Sequence, residues 1–437
     1  MEKKLSIIDD SKFSLFSFNG ENFLIGFCGG IYSADSSFYE YLSSGKASSE
    51  EEAADMKNEY LAIQKAEDDA SDIPPMPGRT LRALCLNVTS SCNLGCIYCF
   101  ANPETDLSCH MTFETAMKSL DFLIAKGSMD SMFQIDFFGG EPLLNFEMIK
   151  RFVPAAREKV RKIKFTLTTN AVLLDEEKLE WLNREKISLI LSLDGDKRTN
   201  DLTRRDRAGR SVWEKSFNNI KRAIESRNGA DYYVRGTFTP DSLDLAETCR
   251  FFIDNGIYRF SLEPAKGKET DPWAVSEKDL EKICCEYEKM ALLIKEKKEE
   301  GLPVDYFHFN IYLDAPLCSP RRLSGCGAGV EYVSIASDGR VFPCHRLHSP
   351  EFSMGTVFDE KSEKFDAIRE KFSSCSIESK KACSKCWARF YCSGGCHSDA
   401  VAKNGDIYKP AEYDCALQKK RTQCAIWLAS SLLKSEK

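Results

Sequence analysis

Residues 83–100 read ALCLNVTSSCNLGCIYCF: a short β-rich run, ALCLNVT, then a loop with Cys92, Cys96 and Cys99 spaced C-x3-C-x2-C around Gly95. Tetrahedral zinc sites and closed iron–sulfur clusters take four protein ligands. Three ligands leave two readings: the fourth lies elsewhere in the chain, or one metal position stays open. Placement just past a strand favours the second. Three thiolates hold three irons of a [4Fe–4S] cube, and the fourth iron is then free to bind a substrate or cofactor. A zinc loop borrowing a distant ligand is the competing reading.

Outward from this stretch the pattern repeats. β-rich runs at 83–89, 132–138, 164–170, 188–195, 232–239 and 258–264 alternate with amphipathic stretches such as TFETAMKSLDFLIAKG (112–127) and SEKDLEKICCEYEKMALLIKEKKEEG (276–301). Successive strand–helix units imply a parallel sheet covered by helices, an α/β fold. Six units fall short of a closed eight-unit barrel, so a partial (β/α)6 barrel or a doubly wound sheet is expected. In either, functional groups gather beyond the C-terminal strand ends. Cys92–Cys99, Gly139–Glu141, Thr168–Asn170, Ser192 with Asp194, and Glu263 all fall there.

This barrel is expected over 81–305. Before it, residues 1–70 read as a small α+β module with a hairpin turning at Asn19-Gly20, joined by a Pro- and Asp-rich linker at 71–80. After it, 306–437 is cysteine-rich and ends in a helix. The 60 Lys and Arg against 67 Asp and Glu give a net charge of −7, which argues against a nucleic-acid partner. No apolar run approaches membrane-spanning length, and the N-terminus lacks a signal-peptide core, so a cytoplasmic protein with no membrane partner is expected. Nineteen cysteines in a reducing compartment point to metal ligation or redox chemistry. Several of them, Cys28, Cys85, Cys249, Cys284, Cys285 and Cys424, sit among apolar or helical neighbours and read as packing.

The cysteine triplet after a first strand, followed by GGEP (139–142) after the second, resembles the radical S-adenosylmethionine (SAM) superfamily. The resemblance implies a partial barrel whose open iron chelates SAM and cleaves it to a 5′-deoxyadenosyl radical. It assigns Gly139, Gly140 and Glu141 to the SAM amino group, and glycines do let backbone carbonyls approach an ammonium closely. Thr169 and Asn170 fall in the cofactor site. Ser192 and Asp194 take the ribose hydroxyls, Tyr98 lies near adenine, and Arg204 pairs with the carboxylate. Downstream, CSKCWARFYCSGGC (383–396), with Cys326, DGRVFPC (338–344) and Cys415, resembles the SPASM domain, which carries two auxiliary [4Fe–4S] clusters. By that pattern Cys383, Cys386, Cys392 and Cys415 hold one cluster, and Cys326, Cys344 and Cys396 the other. Cys318 is its fourth ligand, unless that iron stays open for a substrate thiolate or Cys375 serves. Three [4Fe–4S] clusters are implied in all.

Within the superfamily the chain resembles the maturases of SCIFF peptides (six cysteines in forty-five residues), through DFFGGEPLLNFE, FTLTTN, LSLDG, YYVRGTFT, GCGAGVEY, FPCH and WARFYCSGGC. The implied reaction joins a cysteine sulfur to a carbon of another residue in a ribosomally synthesised precursor peptide. The leader of that peptide would be gripped by a winged-helix-like module at 1–70, and electrons would come from a flavodoxin or ferredoxin. A purely structural role for 1–70 stays open. Anaerobic sulfatase maturases, which make formylglycine, resemble the chain too, but carry an Asp where His345 stands; His345 is the candidate catalytic residue here. Carbon–carbon crosslinking and a non-catalytic electron carrier are further alternatives. Thr237, Glu263 and His308 are expected to pack at the barrel mouth.

Overall fold

The computed structural model describes residues 12–70, 79–100, 109–227, 231–268, 270–311, 323–359 and 362–435. Most of the expected linker at 71–80, and Cys318, lie outside them. In the first segment β1 (Phe13–Phe18) and β2 (Glu21–Gly26) pair antiparallel through Asn19 and Gly20, whose φ values are 48° and 80°. Asn and Gly tolerate this backbone with least strain. β3 (Ile31–Ala34) completes a three-stranded antiparallel sheet. Helices α1 (Ser36–Ser44) and α2 (Glu50–Asp69), capped by the Asp35 and Ser49 side chains, bury Phe38, Tyr41, Leu42 and Tyr60 against Phe13 and Leu24. The sheet's other side, with Phe16, Phe18, Phe23 and Ile25, joins the core of the main body. The segment expected as a separate module therefore shares a core with the rest.

In the main body β4 (Ala83–Thr89), β5 (Phe133–Gly139), β6 (Ile163–Thr169), β7 (Ser188–Ser192), β8 (Tyr232–Phe238) and β9 (Arg259–Pro264) run side by side, all parallel. Between them lie α3 (Phe113–Lys126), α4 (Phe146–Lys159), α5 (Glu176–Arg184), α6 (Lys197–Thr203), α7 (Trp213–Ser226) and α8 (Leu245–Asp254), and α9 (Leu280–Glu299) follows β9. The fold is the α/β one expected, a partial barrel of six parallel strands.

The cysteine-rich region does not stand apart from it. β10 (Asp305–Tyr306) adds to β9, and β11 (Tyr332–Ile335) adds parallel to β4, with β12 (Val341–Phe342) antiparallel beyond it. Among the described residues the sheet thus has nine strands, ordered β10-β9-β8-β7-β6-β5-β4-β11-β12. Then come α10 (Glu363–Ser373), α11 (Arg389–Cys392), α12 (His397–Asn404) and α13 (Glu412–Ser435). α13 runs along α9 and against β1, its buried Trp427 meeting Phe18 edge-on at 4.8 Å. No helix among the described residues is long and apolar enough to cross a membrane.

The pleat sorts each strand into two faces. Leu84, Leu86, Val88, Phe133, Ile135, Phe137, Phe165, Leu167, Leu189, Leu191, Val234, Phe238, Phe260 and Leu262 are buried on the helix side. Asn87, Asp136, Thr166, Thr168, Ser192, Arg235, Thr237 and Glu263 alternate with them and stay partly or fully accessible. A barrel lined by such residues encloses a chamber, not a packed core.

Candidate active site

The cysteine loop that follows β4 is seated on the end of β5. Glu141 N–H donates to the Ser91 carbonyl at 2.9 Å. A Cβ on Gly140 would come within 2.1 Å of that same carbonyl oxygen, and one on Gly139, whose φ is +122°, within 2.2 Å of the Thr89 oxygen. Only glycines let the two backbones lie this close. Gly95 N–H donates to the Arg205 carbonyl and Ile97 N–H to that of Thr203, while Arg207 Nε donates to the Cys92 carbonyl at 2.9 Å. The Cys92 sulfur accepts from the Leu94 N–H at 3.4 Å and from Asn170 Nδ2 at 3.9 Å. Burial pushes the Cys92 thiol up to about 12, helped by Glu141, Cys96 and Cys99, and the Cys96 thiol up to about 11, against the pull of Arg204. Without a cation these thiols are neutral; bound to one, they are thiolates.

The carboxylate of Glu141 is fully buried and turned into the protein. It accepts from Leu143 N–H at 3.1 Å, Thr169 Oγ1 at 2.7 Å and Asn170 N–H at 2.9 Å, so it ties the end of β5 to that of β6. Asp194, past β7, is built alike. It accepts from Tyr98 OH at 2.6 Å, Thr203 Oγ1 at 2.9 Å and Thr237 N–H at 2.9 Å. Arg204 Nη1 in turn donates to Tyr98 OH at 3.0 Å. Both carboxylates, expected as direct SAM contacts, are thus occupied in holding the loops. Gly139 and Gly140 face a cavity, and Ser192 is half-buried on the chamber side of β7.

The remaining cysteines fall into two groups. Cys344, Cys396 and Cys326 act on one another, and burial raises Cys344 to about 12 and Cys396 to about 11. Arg346 N–H donates to the Cys344 sulfur at 3.4 Å, and its guanidinium bridges Cys396 and Asp399. Cys383, Cys386, Cys392 and Cys415 form the second group, with burial the largest cause of the raised Cys383, Cys392 and Cys415 thiols. Ser393, Gly394 and Gly395 all have positive φ and aim the Gly394 and Gly395 N–H groups at Cys392. Such a nest of N–H donors suits a thiolate. Cys375 is buried and donates to the Ile407 carbonyl. Among the described residues no three His, Cys, Asp or Glu side chains converge tightly enough to grip a single ion.

Between the glycine seat and the Cys344 loop lies a cavity of about 430 Å³, whose lining includes Asn87, Ser90, Phe100, Gly140, His345 and Arg346. His345 Nδ1 hydrogen-bonds Tyr332 OH at 2.7 Å, and its ring lies 5.0 Å from that of Phe138 and 5.5 Å from that of Phe100. Burial first, then Arg235, Arg346 and His348, push its pKa down to about 3, so the imidazole is neutral. Glu263 and His308 pair at 2.6 Å, and Arg421 of α13 reaches His308 Nδ1 at 3.4 Å; Thr237 serves Asp194. Asp136, Arg235 and Tyr332 were not anticipated. The strand alternation in FQIDFF and YYVRGTF, which puts Asp136 and Arg235 on the chamber side, was the available signal.

The profile of the radical SAM superfamily matches residues 86–247, and that of the SPASM iron–sulfur cluster-binding domain residues 326–387. The chain carries a radical SAM domain followed by a SPASM domain. It is 26% identical over 78% of its length to the radical SAM cyclopropyl synthase TigE of Paramaledivibacter caminithermalis, covering 73% of that protein. To the cysteine-type anaerobic sulfatase-maturating enzyme of Clostridium perfringens it is 26% identical over 70% of its length and 86% of the relative. The crystal structure of Streptococcus suis SuiB bound to precursor peptide SuiA superposes with a TM-score of 0.56 at 17% identity, covering 92% of this chain and 98% of that one. As a radical SAM enzyme with a SPASM domain, the protein uses a [4Fe–4S] cluster with SAM and binds further iron–sulfur centres. Its donor set fits these groups: cysteines fall into sets, the first on a loop seated on Gly139 and Gly140, and burial raises the thiols of Cys92, Cys96, Cys344 and Cys383.

Proposed function

We propose that this enzyme installs intramolecular thioether crosslinks, cysteine sulfur to a carbon of another residue, in a ribosomally made, cysteine-rich precursor peptide of the SCIFF kind. The observation that carries the reading is the cavity itself. On one side it is bounded by the glycine seat of the Cys92 loop, and on the other by the loop carrying Cys344, whose group has three described cysteines. A peptide held there lies between the SAM side and an auxiliary centre able to take its thiol.

When bound, the cluster and SAM supply a 5′-deoxyadenosyl radical that removes a hydrogen atom from the acceptor carbon. Cys92, Cys96 and Cys99 hold that cluster. The backbone of Gly139–Glu141, with Tyr98, Thr169, Asn170, Ser192, Asp194 and Arg204, forms the SAM pocket, Glu141 and Asp194 by fixing its walls. Cys383, Cys386, Cys392 and Cys415 would hold one auxiliary cluster, and Cys326, Cys344 and Cys396 the other, whose fourth iron would be taken by Cys318, by Cys375 or by the substrate thiolate, for three clusters in all. His345 sits where the substrate thiol would arrive and orients it. The β3 edge of the N-terminal sheet offers unpaired backbone groups to a leader peptide, and a flavodoxin or ferredoxin supplies electrons.

The test is incubation of reconstituted enzyme, SAM and reductant with a cysteine-rich peptide encoded beside its gene. A loss of two hydrogens per ring is expected, and an unchanged mass overturns the reading. Similarity to the C. perfringens relative favours formylglycine formation as the second reading, which would instead remove sulfur from the peptide.

A further inference from the structure

Beneath the cavity floor lies a carboxylate that none of the SAM or cluster contacts uses. Asp136 is on the chamber face of β5, in register with Cys85 of β4 and Thr166 of β6. Phe138, the next chamber-facing residue along β5, pairs with the cavity-lining Asn87 and touches the His345 ring. Asp136 therefore sits one inward position deeper, roughly 7 Å down the strand by the usual rise. Its Oδ1 is buried with no hydrogen-bond partner. A buried, unpartnered carboxylate oxygen is costly to keep, and a chamber meant to receive a donor from outside accounts for it.

The charged and titratable groups around Asp136 come from three strands. Arg235 of β8 acts on it from across the chamber, Cys85 of β4 lies in register, and Tyr332 of β11 shares its field. Tyr332 in turn bonds His345, next to Cys344. Burial raises the Asp136 carboxyl to about 7, with Arg235 opposing, and a base poised near the working pH is best suited to proton transfer. His345, bonded to Tyr332, is placed to orient.

We propose that Asp136 is the proton acceptor of the reaction, taking the proton of the substrate's cysteine thiol as its sulfur is committed to the new bond. The inference rests on the peptide-modifying reading above. The bookkeeping closes: the S–H bond breaks and an O–H bond forms on Asp136. The hydrogen atom of the acceptor carbon leaves with 5′-deoxyadenosine, and the remaining electron passes to an iron–sulfur centre. These are the two hydrogens lost per ring.

In Asp136→Asn, 5′-deoxyadenosine should form with peptide at the wild-type rate and the peptide should bind unchanged. Crosslinked product should fall by about 100-fold or more, and its rise with pH, centred near 7 in the wild type, should vanish. A second readout is independent of turnover. A carboxylate with raised pKa stabilises the fold below its unfolded value and loses that contribution as pH rises through 7. The thermal midpoint of loaded wild type should therefore fall relative to Asp136→Asn as pH rises from about 4 to about 7. Product formation by Asp136→Asn within about threefold of wild type overturns the proposal, as does equal loss of peptide binding and SAM cleavage. If Asp136→Asn does not load iron, Arg235→Gln decides: the pH midpoint of product formation should move up, and an unmoved midpoint overturns the proposal. Absence of any product from wild type sinks the parent reading instead.

Discussion

The Cys92 group and the Cys383 group hold sulfur in different ways. The first has three cysteines on one short loop, seated on Gly139 and Gly140 and fastened at Tyr98 by Asp194. Its seat, Gly139 and Gly140, lines a cavity. The second gathers four cysteines from two places in the chain, with a nest of N–H groups at Cys392. It faces the N-terminal sheet instead: Arg389 stacks 3.3 Å over the Phe27 ring, and Tyr391 OH donates to the Gly29 carbonyl at 2.6 Å. That turn is stiffened by buried Glu67, which accepts from Cys28 N–H, Gly30 N–H and Tyr32 OH. The first group thus neighbours, through Gly139 and Gly140, a space that a molecule can enter, while the second packs against the N-terminal segment.

The largest effect that would break this contrast is loss of the open group. Cys96→Ala should abolish SAM cleavage while leaving the iron of the auxiliary groups, checked by iron content and 5′-deoxyadenosine yield. Cys392→Ala should do the reverse. Peptide-dependent SAM cleavage should persist, and crosslinked product should fall by more than about 10-fold, as chromatographed products will show. Equal losses in both assays for both variants would erase the distinction.

Gly140→Ala sharpens it more gently. The added methyl meets the Ser91 carbonyl, so overpacking of about 1–3 kcal/mol is expected, with weaker SAM binding by calorimetry and unchanged iron at the auxiliary groups. Acid should act on the chamber wall before it acts on the cysteine loops. Glu263 is held below the usual carboxylate range by His308 and Arg421 despite burial, and burial and Arg421 depress His308. Both groups bind more protons unfolded than folded, so stability falls as pH drops through the ordinary His range and falls further toward the depressed Glu263 value. Thermal midpoints of Glu263→Gln should show a flatter acid limb than wild type. The smallest effect belongs to Tyr391→Phe, which removes one hydrogen bond to the N-terminal turn, worth about 1 kcal/mol. Protease sensitivity of residues 12–70 should rise slightly, with SAM cleavage untouched.

Much of this was legible in the chain. Spacing within one loop carried the Cys92 triplet, Asn19-Gly20 carried its hairpin, and six β-rich runs in alternation carried the parallel sheet, because each depends on neighbours a few residues apart. The polar residues at strand ends read as a site because the fold class puts function there, and Gly139 and Gly140 among them line the cavity. Glu141 and Asp194 were read as contacts for SAM, whereas the folded chain engages both with donors from the ends of other strands.

What the sequence by itself determined, then, was local: element type and turn geometry. Tertiary structure alone decided that β11 extends the sheet at β4, that the N-terminal sheet docks on α13, and that Arg235 confronts Asp136. Each of these joins positions tens or hundreds of residues apart. Their partners are chosen by chain closure, burial and charge compensation over the whole molecule, and these leave no fixed spacing in the sequence to read.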